Sequence, residues 1–325
     1  MPTETLPPSH IPVLDTGFVA PIPLPNSDLK VVNAARVSFG KQSLQFDPDR
    51  DARLITYLAR HNHWTPFGHC RTLALLPLDT LDEIQGQLIN TGGFEIAFPR
   101  EHPEHAALAC SLAHLRDFPS LCGAFASSCP ASVKALYPDF TTIEADDFEE
   151  APFSIAPHLT PVTLHFKMPL AIYMQWDKSR VGFVTNMISR RYVDSPPDFH
   201  TPSTWRSRPE GNIKQGSGPN LEGDVKDHAL QAFHSACMWT KARYHNLLMI
   251  DAAPEQARFV LPLSTYTEFW MTGSLRSWAR LVSLRMGEHV QAETKAYAHA
   301  THTLLSQLHP VTWPGFVSLY QAGTP

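Results

Sequence analysis

The segment from residue 194 to residue 224 constrains the fold most, because it cannot form a regular helix or strand. It contains five prolines and four glycines, and proline both fixes its backbone φ angle and lacks an amide donor. A loop of that length inside a compact domain is usually functional or disordered. Helices are predicted after it, at about 223–250, 254–259, 274–284 and 291–308.

The chain before this loop has weaker patterns. Residues 1–30 are rich in proline, which predicts an extended surface segment before regular structure begins. A helix is predicted over 51–60, where leucine and isoleucine form an apolar stripe, and it should break at 61–66.

The middle of the chain predicts one strand and one helix. Leucine, phenylalanine and methionine alternate over 163–173, which is typical of a strand, and a proline ends or bends it. A helix is predicted to follow over 172–192. Residues 71–160 have no dominant period, and we interpret them as an insertion within a single domain that spans 1–325.

Composition excludes several classes of protein. The formal net charge of -5 argues against a nucleic-acid binder, which normally carries a basic surface. No apolar run approaches the roughly 20 residues of a membrane span, so we expect a cytoplasmic protein without a membrane partner. Five cysteines without a C-x-x-C pair predict reduced thiols. Seventeen histidines include no zinc motif, so we expect no metal site.

Three arginines near the C-terminus could bind anions. Arg276 and Arg280 are four residues apart, so they share one helix face and repel unless an anion lies between them. Arg285 lies about 180° around the same helix from Arg276. One helix could therefore present two basic sites. Pairing with surface carboxylates explains the spacing equally well.

A second basic cluster is interleaved with aromatic residues, as expected for a phosphorylated heteroaromatic ligand. No dinucleotide-binding or P-loop glycine motif is present. The acidic net charge favours a nucleotide over a nucleic-acid polymer. The cluster consists of Lys178, Arg180, Arg190 and Arg191 with Trp176, Phe183 and Tyr192.

Four segments, in the same order, resemble the flavin-dependent thymidylate synthase family. The most specific is QWDKSRVGFVTNMISRRYV at 175–193, which is similar to the family signature R-H-R-x-x-S-x-N-x-x-S-x-R-Y preceded by Q-W. The others are NAARVSFGK with YLARHNHWTPFGH, then WRSRPEGNIKQGSG, then ARFVLPLSTYTEFWMTGSLRSWARLVSLR.

The resemblance implies an α+β fold with a mixed sheet and long helices, assembled as a homotetramer with active sites between subunits. It also implies FAD as cofactor, NADPH as hydride source and methylenetetrahydrofolate as one-carbon donor to C5 of dUMP. None of the five cysteines lies in the Pro-Cys-His tripeptide of the unrelated cysteine-dependent synthases.

The resemblance also assigns site residues, position by position. Arg285 is implied as the catalytic residue, a cation that stabilises the ionised N3 of the pyrimidine. The implied dUMP residues are Gln175, Lys178, Met187, Ser189, Arg191, Arg258 and Arg285. The implied FAD residues are His63, Thr65, Lys178, Ser179, Arg180, Ser274, Arg276 and Arg280.

Two departures from the family pattern keep alternatives open. The Arg-His-Arg triplet is replaced by Lys178, Ser179 and Arg180, and Met187 stands where the family generally has glutamate. Methionine is a much weaker hydrogen-bond acceptor than a carboxylate. One alternative is C5-hydroxymethylation, or methylation of another pyrimidine nucleotide. Another is an inactive nucleotide-binding or RNA-binding homologue.

Overall fold

The computed structural model describes most of the chain as helices and antiparallel strands. The described residues are 10–91, 93–118, 121, 123–137, 149–210 and 216–322. Within these ranges, no helix has the length and apolar character needed to cross a membrane.

Nine strands and eleven α-helices form the framework of the described residues. The strands are β1 (Ile11–Val13), β2 (Gly17–Pro21), β3 (Arg71–Pro77), β4 (Glu95–Ala97), β5 (His105–Ser111), β6 (Glu149–Ala151), β7 (Pro161–Pro169), β8 (Phe183–Met187) and β9 (Tyr266–Ser274). The helices are α1 (Asp28–Arg36), α2 (Pro48–Arg60), α3 (Leu78–Thr91), α4 (Gly123–Ala126), α5 (Pro130–Leu136), α6 (Leu170–Asp177), α7 (Gly223–Met249), α8 (Pro254–Ala257), α9 (Leu275–Arg285), α10 (Ala292–Leu308) and α11 (Trp313–Ala322).

The larger sheet has five strands in the order β1-β2-β7-β9-β8. Strand β7 forms because its alternating apolar residues turn to one face, where Leu164, Phe166 and Met168 are buried. Phe166 stacks on Phe269 of β9 and on Trp278 of α9, at ring-centroid distances of 5.0 and 5.9 Å. Helices α9, α10 and α11 contribute to this core. The strand predicted from alternation is confirmed.

The smaller sheet, in the order β4-β5-β3-β6, is built from residues 71–160. Its apolar face packs against α2 and α5 in a second core that includes Ile55, Leu76 and Leu108. The segment therefore forms regular structure, which its lack of a dominant period did not indicate. That it is an insertion stays a prediction.

Several predicted elements are confirmed. Helix α2 covers the predicted 51–60, and Pro48 and the capping Asp47 explain its start, because Asp47 accepts from two amides of the first turn. The helices α7, α9 and α10 appear where they were predicted, and 194–210 and 216–222 lie outside helices and extended strands. Helix α11 was not predicted.

Three expectations about the fold are wrong. Strands β1 and β2 lie within the segment expected to precede regular structure, because β2 finds its hydrogen-bond partners in β7. All described strand pairs are antiparallel, so the mixed sheet implied by the resemblance is not present there. The helix predicted over 172–192 ends at Asp177, and β8 follows.

Gly182 explains why that helix ends and a strand begins. Its φ is +83°, a conformation that disfavours side chains. A Cβ atom there would overlap Ser277 Oγ. The turn at Gly182 leads into β8, which pairs with β9 from Phe183 opposite Gly273 to Met187 opposite Phe269. The sheet thus competes successfully with the helical propensity of this segment.

We expect Gly182→Ala to lower the free energy of unfolding by about 1–3 kcal/mol, because alanine is strained at this φ and collides with Ser277. Gly86→Ala is the matched control: Gly86 lies in α3 with open space around it, so this change should be neutral or stabilising by up to about 1 kcal/mol. Chemical denaturation measures both, and an equal loss in both variants would contradict the steric account.

Candidate functional site

Helix α9 orients the three arginines noted in the sequence. It begins where β9 ends, and the side chain of the N-cap residue Ser274 accepts a hydrogen bond of 3.1 Å from the amide of Ser277. One side of α9 is buried in the larger core, through Trp278 among others. The arginines project from its remaining surface toward different neighbours.

Arg276 is bound to a carboxylate of the smaller sheet. Its guanidinium donates to Glu95 Oε1 at 3.3 Å and to the carbonyl of Ile96 at 3.4 Å. The other carboxylate oxygen of Glu95 pairs with Arg71 at 3.1 Å. The repulsion between Arg276 and Arg280 is therefore offset at Arg276 by a buried carboxylate, whereas the sequence analysis considered carboxylates at the surface.

Arg280 and Arg285 both donate hydrogen bonds to Ser179, one to its backbone and the other to its side chain. Arg280 donates to the carbonyl oxygens of Ser179 and Val181 at 2.9 and 2.8 Å. Arg285 donates to Ser179 Oγ at 2.9 Å and to the carbonyl of Gln175. Both arginines thus fix the turn that follows α6. The side chain of Ser179 is buried and engaged.

A cavity of about 1110 Å³ opens between α6, the end of α9, α10 and the loop before α7. Three residues that the resemblance assigns to dUMP border it: Gln175, Lys178 and Arg285. The Gln175 side chain is oriented by Thr294, whose hydroxyl donates to it at 3.1 Å. The cavity is wide enough for a nucleotide and part of a second ligand, since ligand pockets commonly enclose about 300–1,000 Å³.

Two arginines at this cavity differ in how their charge is compensated. Arg206 pairs with Glu293 through two hydrogen bonds of 2.7 and 2.8 Å. Burial opposes ionisation of Glu293, but the hydrogen bonds from Arg206 keep its pKa below the usual value. Burial lowers the pKa of Arg285, yet a guanidinium remains protonated in proteins. Its Nε has no hydrogen-bond partner among the described residues, so a ligand oxygen could satisfy it after a small rearrangement.

The remaining residues assigned to dUMP form a separate group. Arg191 pairs with the carboxylate of Glu255 at 3.0 Å, and Arg258 donates to the Glu255 carbonyl at 3.2 Å. Ser189 follows β8, and its hydroxyl accepts from the amide of Arg191 at 3.3 Å. None of these residues borders the large cavity. One chain therefore does not bring the whole predicted set into a single pocket.

Met187 ends β8 and is half-buried, with its side chain packed against the larger core. The backbone around it is regular sheet, because Met187 lies opposite Phe269 in the ladder. An apolar contact thus occupies the position where the family pattern has a carboxylate, and no acidic group is offered from this point of the strand.

The residues assigned to FAD also divide into two groups. His63, Thr65, Lys178 and Arg180 are exposed, and their two cations fit an anionic cofactor at the surface. Ser179, Ser274, Arg276 and Arg280 are bound within the chain. Thr65 also borders a smaller cavity of about 240 Å³. The exposed group fits the cofactor, whereas Ser274 and Arg276 already hold a carboxylate.

A buried histidine that was not assigned a role connects the turn before β3 to the larger sheet. His69 lies at ring-nitrogen distances of 2.7 Å from Thr272 Oγ1 and 3.2 Å from Asn186 Oδ1, and Thr163 Oγ1 lies 2.7 Å from Thr272 Oγ1. With an amide oxygen facing Nε2, that nitrogen carries the proton and Nδ1 accepts from Thr272. The sequence contained two indications of this pairing: His69 ends the TPFGH run, and Asn186 is the asparagine of the family signature.

Comparison with known proteins gives consistent matches. The family model described as thymidylate synthase complementing protein matches residues 152–311, which include β7, β8, β9 and the helices α6–α10. A flavin-dependent thymidylate synthase of Thermosipho melanesiensis is 25% identical over 314 residues, covering 96% of this chain and 95% of the relative. That of Thermus thermophilus is 24% identical over 309 residues, covering 95% and 78% respectively.

A solved structure of the UMP/dUMP methylase PolB from Streptomyces cacaoi with 5-Br UMP matches with a TM-score of 0.49 and 20% identity, covering 96% of this chain and 99% of that one. The family match and the near full-length relatives agree with the motifs quoted above. Together these matches support assignment of the chain to the flavin-dependent thymidylate synthase family.

We expect the buried His69 to make stability depend on pH. Burial first, and the charge of Lys30 second, lower the pKa of His69 to about 3, against a smaller opposing effect of Asn186. Below pH 6.5, roughly the pKa of an unperturbed histidine, the imidazole binds a proton in the unfolded chain but not in the folded chain. As the pH decreases from about 6.5 to about 3, the free energy of unfolding should therefore decrease by up to about 1.4 kcal/mol per pH unit.

Denaturation of the wild type and of His69→Gln between pH 7 and pH 4.5 measures this effect. The variant should have the shallower decrease, because it lacks the suppressed titration. His61→Gln, at an exposed position, controls for the loss of an imidazole. Parallel curves for wild type and His69→Gln would contradict the neutral buried histidine.

Proposed function

We propose that the protein methylates dUMP reductively, producing dTMP, tetrahydrofolate and NADP⁺ from dUMP, methylenetetrahydrofolate, NADPH and one proton. The observation that carries this proposal is the large cavity bordered by Gln175, Lys178 and Arg285. The family match supports the same chemistry. No cysteine of the described chain borders this cavity, in agreement with a reaction that uses no enzymic thiol.

Arg285 is proposed as the group that stabilises negative charge on the pyrimidine. Two acceptors, the carbonyl of Gln175 and the hydroxyl of Ser179, hold one end of its guanidinium. Arg285 is among the residues that border the cavity. A preoriented cation lowers the energy of an anion that develops during reaction without reorganising at that moment. This placement would favour the N3-ionised form, in which C5 is the more nucleophilic carbon.

Lys178, Arg180, His63 and Thr65 are proposed to hold the flavin. All four are exposed, and within the described part of the chain the Arg180 guanidinium makes one long ion pair, of 3.6 Å, with Asp177, so its charge is available to a phosphate. The bound flavin would supply hydride transfer from NADPH toward the pyrimidine. The protein residues would orient the isoalloxazine against the cavity that Lys178 borders.

We propose that the complete nucleotide site forms between two copies of the chain. The cavity group, Gln175 with Lys178 and Arg285, and the outer group, Arg191 with Arg258, do not share a pocket within one chain. An anion that contacts both groups requires their juxtaposition across an interface. The pair of Arg191 with Glu255 is exposed on both sides, so exchanging this partner for a phosphate costs little.

The long helix α7 supports self-association as a homotetramer. Of its 27 residues only Cys237 and Tyr244 are buried. Met238 and Trp239 are 69% and 59% exposed. Contiguous exposed patches of large apolar side chains usually mark an interface with another protein. A partner copy that packs against α7 would remove this surface from water.

Hydroxymethylation, or methylation of another pyrimidine nucleotide, is a second candidate, which Met187 favours. A methionine packed on the core offers no carboxylate to the pyrimidine, so a different set of donors and acceptors would select the base. The identity of the product separates this candidate from the first.

Purified protein incubated with FAD, dUMP, methylenetetrahydrofolate and NADPH should give a product with the mass of dTMP.

Arg285→Ala should lower turnover by at least about 100-fold, because an electrostatic group of this kind contributes about 10²–10³ in rate. The variant should still bind flavin. Mass spectrometry measures the amount and mass of the product, and flavin absorbance measures the bound cofactor. A 5-hydroxymethyl product, or equal loss of flavin and turnover, would contradict this assignment.

Subunit sharing predicts complementation between inactive variants. Arg285→Ala and Arg191→Ala should each be inactive, and mixed oligomers formed by unfolding and refolding the two together should regain about one quarter of wild-type activity, because random pairing in a symmetric oligomer reunites intact groups at that frequency.

The complementation experiment has two controls. Refolding each variant alone should restore no activity, and light scattering should give the mass of four chains. Trp239→Glu should reduce that mass, whereas Leu44→Glu, at a still more exposed position outside α7 (98% against 59%), should not. Mixed oligomers without activity would show that one chain supplies the entire site.

A further inference from the structure

The carboxylate of Glu95 is the most heavily hydrogen-bonded side chain near α9. It accepts from Ser274 at 2.7 Å, from Ser277 and Arg276 at 3.3 Å each, and from Arg71 at 3.1 Å. Only 6% of Glu95 is exposed. This carboxylate belongs to the smaller sheet, whereas three of its four partners belong to the end of β9 and the first turn of α9.

The physical setting is that of an anion-binding site. A helix N-terminus carries partial positive charge from its free amides. Here the guanidinium groups of two arginines and the hydroxyls of two serines add to this positive potential around the two carboxylate oxygens of Glu95. Arg71 and Glu95 are almost completely buried, with side-chain exposures of 6% and 7%. Removing this carboxylate would leave two buried cations without their counter-charge.

The space beside this carboxylate is also occupied. The turn at Gly182 approaches Ser277 so closely that a Cβ atom would overlap its hydroxyl. Arg71 lies at 3.5 Å from the carbonyl of Gly182. The end of β9, the turn before β8 and the strand β4 thus enclose the carboxylate, and no part of the large cavity reaches Ser274 or Arg276.

We infer that Glu95 is an internal counter-anion that occupies the anion site at the N-terminus of α9. Ser274 and Arg276 therefore position the smaller sheet against the larger one and do not bind a cofactor phosphate. The flavin phosphates contact Lys178 and Arg180 instead. The part of this inference that concerns the flavin rests on the proposed function, whereas the part that concerns the anion site does not.

The anion site is tested by replacing the side chain of Glu95 with a free carboxylate. Glu95→Ala removes the carboxylate and leaves a space of about the size of acetate beside Arg71 and Arg276. Acetate should bind this variant at least about tenfold more tightly than the wild type, because charge-assisted hydrogen bonds replace those lost. Calorimetry at constant ionic strength measures the affinity, and the increase in Tm on addition of acetate confirms it.

The double variant Glu95→Ala/Arg276→Gln is the matched control, and it should lose most of the gain in acetate affinity. Equal affinities in wild type and Glu95→Ala would overturn the inference, as would a gain that survives in full in the double variant. If Glu95→Ala does not fold alone, acetate should restore folded protein where sodium chloride at the same ionic strength does not, and no recovery with acetate would overturn the inference.

The flavin arm compares two single variants of the intact chain by equilibrium titration with FAD. Arg276→Gln should change the Kd for FAD by no more than about twofold, and Lys178→Gln should raise it by about tenfold, the effect expected of a charged hydrogen bond. A tenfold loss in Arg276→Gln would overturn the inference. Wild-type protein that binds no FAD would refute the proposed function, while the acetate result would still decide the anion site.

Discussion

The antiparallel ladder between β7 and β9 is the interaction on which the rest of the structure depends. It extends over nine residue pairs, from Pro161 opposite Ser274 to Pro169 opposite Tyr266. Because side chains alternate along a strand, a slip of one residue would turn the buried face toward solvent. The same strand β9 pairs with β8 and ends at Ser274, the N-cap of α9. Both basic segments of the sequence are therefore positioned by one ladder.

The arginines of α9 differ in what they can still bind. Arg276 is compensated by Glu95 at the junction of the two sheets, and Arg280 donates to backbone carbonyls of the turn after α6. Arg285 borders the cavity, and among the described residues its buried Nε has no hydrogen-bond partner. A single helix thus separates structural cations from one available to a ligand. The difference comes from the neighbours that long-range folding supplies.

The sequence predicted well those features that depend on local periodicity. The strand containing Phe166 and the helices α2, α7, α9 and α10 were predicted from spacing alone. The helix expected through Phe183 was wrong because local propensity did not include the ladder with β9 or the positive φ of Gly182. Strand formation in 71–160 depends on partners far along the chain, which no local pattern contains.

The candidate site was predictable in its residue types but not in its geometry. The motif around Gln175 identified residues that border the cavity, because the resemblance carried them over as a set. It could not show that Glu95, in a segment without a matching motif, pairs with Arg276. Nor could it show that Arg191 and Arg285 lie in separate groups. Such outcomes depend on which distant elements pack together.

Bound flavin should report directly on the nucleotide in the neighbouring cavity. The most direct measurement is the visible absorption spectrum of the protein after incubation with FAD and gel filtration, with and without dUMP. We expect flavin to remain with the protein and its spectrum to change until saturation as dUMP is added. Protein without bound flavin, or a flavin spectrum indifferent to dUMP, would contradict the claim that the two ligands occupy adjoining sites.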